Sequence, residues 1–211
     1  MPLQNRMTPK GDIEADTARG YFLGNRGVLH DANKRLGQRR WAHDNWIICW
    51  TEFRGHHREV MSPGRYTELF FLDEAVAIAA GHRPCYKCRR QDYQSWTKAW
   101  QIAHKADEKP GAKEMDQALH RERIDRATWR QKTWRARLDD LPDGTFITWK
   151  DAPHLVSNRS LLRWSHGAYT EQTARSTPCE VEVLTPPISV KVLTAGFRPH
   201  LHHSVNALKI C

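Results

Sequence analysis

Two thiols three residues apart, Cys85 and Cys88, are the side chains of this sequence best suited to do chemistry. A Cys-x-x-Cys turn aims both sulfurs inward and can grip one ion, and a tetrahedral zinc site needs two ligands more. The same spacing serves thiol–disulfide exchange, usually between a strand and a helix of a thioredoxin-like unit. Here the motif follows a helical stretch and is crowded by Arg83, Lys87, Arg89 and Arg90. Metal is the leading reading, with a redox pair and plain core thiols as alternatives. Four residues are candidates for the missing ligands. Cys49 is the one thiol upstream, though a cysteine within a strand is more often core. His57 lies in the turn Gly55-His56-His57. His200 and His203 lie in Ala195-Gly196-Phe197-Arg198-Pro199-His200-Leu201-His202-His203, which sets histidines where Ala80-Gly81-His82-Arg83-Pro84-Cys85-Tyr86-Lys87-Cys88 has its two cysteines. His30 and Asp31 are candidate catalytic residues, since a neighbouring imidazole and carboxylate can do acid–base work. The start of a surface helix is their plainer reading.

The elements that must position these groups follow from local pattern. Residues 66–71 are aromatic and apolar enough for a strand. Asp73 can cap the next helix, with Glu74 in its first turn. Ala75 to Ala80 offer little polar surface, so that helix is expected to be buried. Gly81 suits a left-handed helix end, and Pro84 prevents the helix from resuming. Upstream, Trp46-Ile47-Ile48-Cys49-Trp50-Thr51-Glu52-Phe53 is a strong strand candidate.

Over roughly these two dozen residues, 66–90, the chain resembles the end of the metal-binding domain of the Ada DNA-alkylation-repair proteins. The resemblance rests on Leu69-Phe70-Phe71, then Glu74-Ala75, then Ala80-Gly81-His82-Arg83-Pro84-Cys85-Tyr86-Lys87-Cys88-Arg89. It implies zinc held by four cysteines, of which the last two match Cys85 and Cys88, and contact with the DNA backbone. The first two family ligands would fall near residues 53–58, where Phe53-Arg54-Gly55-His56-His57-Arg58 carries no cysteine. The family's methyl-accepting thiol thus has no counterpart at its matched place. The resemblance supports a zinc-type fold and a DNA-related role, not methyl transfer.

Charge points the same way. The 211 residues carry a formal net charge of +9, and residues 83–137 hold fifteen Lys and Arg against seven Asp and Glu, which is nearly the whole excess. Such concentration suggests a polyanionic partner, nucleic acid first. After the cysteines, Tyr93, Trp96, Trp100 and Ala103 recur at helical spacing and read as core. A second helix is expected over residues 114–138, with Arg126, Arg130 and Arg137 on one face beside Trp129. Arg89, Arg90, Arg126, Trp129 and Arg130 are the candidate nucleic-acid contacts, guanidiniums pairing with phosphates and the indole stacking. Five cysteines, mostly far apart, argue against a disulfide framework and fit a reducing cytoplasm. No apolar run is long enough to cross a membrane.

The expected fold class is α+β: a strand–helix zinc-binding unit, a basic helical middle and a small antiparallel sheet. Residues 1–20 read as a flexible arm, 21–104 as the Ada-like zinc-binding region, 105–140 as the basic helical segment, and 141–211 as a sheet lobe on the same core. In that lobe, strands are expected near 145–149, 153–156, 161–164 and 180–184, with 165–179 an exposed loop and a helix from 185 to 195. The leading function is a zinc-containing protein that binds nucleic acid, DNA above RNA, in repair or processing. The alternatives are a nucleic-acid-directed enzyme, either a phosphodiesterase or a base-removing glycosylase, and a zinc-stabilised protein-interaction module.

Overall fold

The computed structural model describes residues 1–55, 59–175 and 178–208. Among them the chain is mixed α+β, with four α-helices and two six-stranded sheets. The first sheet contains β1 (Gln4–Met7), β2 (Ile13–Ala15), β3 (Phe22–Asn25), β4 (Ile47–Trp50), β5 (Leu69–Phe71) and β6 (Arg83–Pro84), in the order β2-β1-β5-β3-β4-β6. It is mixed: β1 runs parallel to β5 and β4 to β6, and the other neighbours are antiparallel.

Helix α1 (Glu74–Ala79) carries the chain from β5 across β3 and β4 to β6. Asp73 caps it as expected, Oδ1 accepting from the Val76 N–H at 3.0 Å. All six helical residues are buried, so the helix is held by its surroundings rather than by propensity. Gly81 ends the turn at φ +83°, and a Cβ there would lie 2.5 Å from Cδ of Arg123. That position needs glycine for its backbone and for its neighbour alike.

Several stretches differ from the sequence expectation. Residues expected as a flexible arm form β1 and β2, with Met7 and Ile13 buried. Strands of four and three residues show too little alternation to be recognised alone. The helix expected over 114–138 stops early: α2 (Arg90–His104) is followed by α3 (Ala112–Arg123), and Ile124 is already extended. A turn closed by a bridge between Ile124 and Gln131 leads into β7 (Trp134–Arg137). The reason is a distant partner. β12 (Glu180–Val183) lies antiparallel to β7, setting Glu182 opposite Arg135 and Glu180 opposite Arg137, and opposite charges across a strand pair favour the sheet. On α2, Tyr93, Trp96 and Trp100 are buried as expected.

The second sheet is antiparallel throughout, ordered β11-β10-β9-β8-β12-β7. It adds β8 (Phe146–Trp149), β9 (Ala152–Ser157), β10 (Ser160–Trp164) and β11 (Tyr169–Ala174). β11 occupies the stretch expected as an exposed loop; its Thr, Glu and Gln side chains are mostly exposed at the sheet edge, which hides the strand in the sequence. Both faces are packed. Phe146, Leu155 and Leu162 join the central core with α1, while Ile147, Val156 and Leu161 meet Leu138, Val181 and Val183 in a smaller cluster. Helix α4 (Pro187–Thr194) then packs on α2 and α3. No helix among the described residues is long and apolar enough to cross a membrane.

Candidate metal centre

The parallel pairing of β4 with β6 builds the centre. Ile47 faces Arg83, Ile48 faces Pro84, and the Cys85 N–H donates to the Ile48 carbonyl at 2.9 Å. The next residue along β4 is Cys49, which the register therefore brings to Cys85. The turn after β6 closes through the Arg89 N–H on the Cys85 carbonyl at 3.1 Å and returns Cys88 to the same point. The sulfurs of Cys49, Cys85 and Cys88 all lie within 4.8 Å of one another.

The three thiols polarise one another, so that Cys85 is favoured as thiolate while Cys49 and Cys88 are favoured as thiols. Cys85 is pulled well below the usual thiol range, first by the Cys49 thiol, then by Cys88 and by the backbone N–H groups of Cys88 and Lys87. Cys49 is pushed up in return, because its proton is shared with Cys85 and Cys88 and it is largely buried. The backbone N–H groups of Cys88 and Lys87 favour the anionic form of Cys85, the form in which a cysteine ligates a metal. Three sulfurs form a soft donor set suited to zinc and other thiophilic ions.

Two buried ion pairs hold the cysteine turn at its ends. Before it, Arg83 binds Asp116 of α3 in a fork, Nε to Oδ1 at 2.8 Å and Nη2 to Oδ2 at 2.7 Å. After it, Arg89 reaches Glu74 at 2.6 Å and Asp92 at 2.9 Å and lies over the rings of Phe22 and Trp50. Arg89 is 1% exposed, which corrects its assignment as a nucleic-acid contact: its charge is spent inside the protein. Beside the sulfurs opens a pocket of about 380 Å³ whose walls include Ile47, Trp50, Phe53, Tyr66 and Lys87.

The histidine candidates fall elsewhere. His200 places Nε2 3.0 Å from Asp92 Oδ1, and its backbone N–H donates to Glu74 at 2.9 Å. His203 packs on His202 with centroids 4.1 Å apart and sets Nδ1 3.4 Å from the Tyr21 hydroxyl. Neither belongs to the sulfur group. His57 lies outside the described residues. His30 has both ring nitrogens engaged, Nδ1 2.6 Å from Thr67 Oγ1 and Nε2 3.3 Å from the Ser62 carbonyl. Asp31 accepts from the Asn33 and Arg35 N–H groups. The two side chains share no hydrogen bond and have separate partners.

Of the remaining candidates, Arg90 is exposed over the Tyr86 ring. Arg126, Trp129 and Arg130 are exposed on the turn after α3, not along a helix. Trp129 stacks on Trp41 at 5.1 Å, which brings the basic run Arg39-Arg40-Trp41 to the same place. Nothing in the sequence signals that this run meets Trp129, because the contact spans some ninety residues. No family model matches the chain, and neither a curated protein nor a solved structure matches it.

Proposed function

We propose that the chain binds one zinc ion through Cys49, Cys85 and Cys88, and that the zinc-stabilised fold binds nucleic acid, DNA foremost, in repair or processing. The observation that carries this reading is the convergence of three sulfurs on a turn whose ends are clamped by buried ion pairs. A redox pair needs only two thiols, whereas a third held in place by strand register suits a tetrahedral ion. The local resemblance to the Ada metal-binding domain agrees on Cys85 and Cys88; Cys49 takes the role of an upstream ligand from a different position. The zinc would hold the β4 and β6 ends together and neutralise the thiolates.

The nucleic-acid half of the proposal rests on charge and exposure. The chain carries +9, and Arg90, Arg126, Arg130 and Trp129 are solvent-facing. Phosphate contacts of this kind make affinity fall steeply with salt. The test has two parts. Metal analysis of the purified protein should give about one zinc per chain, lost in Cys49→Ser, Cys85→Ser and Cys88→Ser and kept in His200→Ala and His203→Ala. Fluorescence anisotropy with labelled DNA should show binding that weakens as salt rises. Metal-free wild-type protein would overturn the zinc reading, and absence of salt-dependent binding to DNA or RNA would overturn the nucleic-acid reading.

A further inference from the structure

A second cavity is distant in sequence from the cysteines. About 680 Å³ in volume, it lies between the first residues after β1, the stretch before β4 and the turn after α3. That size is typical of small-ligand sites. Its walls carry four cations, Lys10, Arg26, Arg40 and Arg130, against two carboxylates, Asp12 and Glu182. Glu182 is already engaged by the hydroxyls of Thr133 and Thr148. The cavity is therefore cationic.

Arg26 is the telling residue. It is 2% exposed and lies over the Trp46 ring at 3.7 Å. Its partners are neutral: the Ala80 carbonyl at 2.8 Å, and the Gly11 carbonyl and His82 Nε2 at 3.4 Å each. No carboxylate lies within ion-pair distance of it among the described residues. A second buried guanidinium, Arg123, shares the Trp46 ring at the same distance. Burial, and then the Arg123 charge, pull Arg26 well below its usual range. Burying a cation without an ion-pair partner is unfavourable, and the charge of Asp12 offsets this only in part. An anion arriving in the cavity would relieve that.

The mouth supplies the aromatic element. Trp129 is 64% exposed and sits at φ +59°, a left-handed conformation that is unfavourable for a bulky residue. The turn that imposes this is held by hydrogen bonds. Asp125 accepts from the Ala127 and Thr128 N–H groups, and Gln131 donates to the carbonyls of Pro9, Ala79 and Leu184. Trp41 backs the indole. A costly backbone thus displays a flat ring beside a cationic cavity.

We propose that this cavity binds a single nucleotide unit, the base stacking on the Trp129 platform and the phosphate meeting Lys10, Arg40 and Arg130 in front of Arg26. The inference deepens the nucleic-acid reading and rests on it for the ligand's source, a free nucleotide or one nucleotide of a strand. Titration calorimetry on the full chain, with deoxyadenosine monophosphate, deoxyadenosine and inorganic phosphate as probes, tests it beside anisotropy with a labelled single-stranded oligonucleotide. The monophosphate should bind, Trp129→Ala and Arg130→Ala should each weaken it roughly tenfold, and the nucleoside and the bare phosphate should bind at least as much more weakly. Both residues are exposed, so the variants should fold. If the oligonucleotide binds wild type and Trp129→Ala equally and the monophosphate does not bind, the cavity assignment fails while the nucleic-acid reading stands. If the monophosphate binds through Trp129 and no oligonucleotide does, the cavity stands and the nucleic-acid reading fails. Inorganic phosphate binding as well as the monophosphate would reduce the site to an anion hole and overturn the proposal.

Discussion

Asp73 serves three donors at once. It caps α1 and also accepts from the Tyr169 hydroxyl at 2.8 Å and the His202 N–H at 3.1 Å. Burial nonetheless outweighs these donors and raises its pKa from the ordinary 3.8 to about 6. The folded state therefore holds this proton more tightly than the unfolded chain does. Its contribution is favourable below about pH 4 and is lost as the pH rises to about 6, at a cost of about 3 kcal/mol by neutral pH. Asparagine caps as well as aspartate and carries no charge. The melting temperature of wild type relative to Asp73→Asn should fall between pH 4 and pH 7, and a pH-independent difference would refute the assignment. At this scale the sequence was informative where a residue acts on its near neighbours, as Asp73 and Gly81 do. Arg89 was misread because basic composition cannot distinguish a solvated guanidinium from one buried between Glu74 and Asp92.

The element that matters most for the centre is β6 with the turn behind it, two strand residues held by their flanks. The Arg83–Asp116 fork is almost wholly buried, with side-chain exposures of 5% and 3%. Removing one partner leaves an uncompensated buried charge, so Asp116→Ala should cost about 3–5 kcal/mol. The exposed pair Arg163–Glu171 is the natural comparison, and Glu171→Ala should cost less than about 1 kcal/mol. Urea denaturation of the two variants measures both; equal losses would mean the fork does not brace the turn. Elements defined by their own pattern, such as α1, α2 and β8, were legible. Those defined by a partner far along the chain, β7 against β12 and β1 against β5, were not, because register and edge position leave no local trace.

On the scale of the whole molecule, one continuous core joins the two sheets: Phe71 and Val76 from the first half lie in it with Phe146, Leu155 and Leu193 from the second. The α+β class was readable from the sequence, but the two-sheet layout was not, since it depends on which faces meet. With zinc bound as proposed, a strong chelator should lower the melting temperature of the entire protein in one transition, because the sheets share that core. Differential scanning calorimetry would show it; an unchanged trace, or melting of one sheet alone, would count against a metal built into the fold. The acidic start of α1 carries one more consequence. Asp73 and Glu74 are satisfied by backbone groups of His200 and His202. A chain emerging from the ribosome presents both carboxylates more than a hundred residues before those partners exist. The centre of this protein is thus specified early in synthesis and sealed late, by a strap of backbone that closes over it.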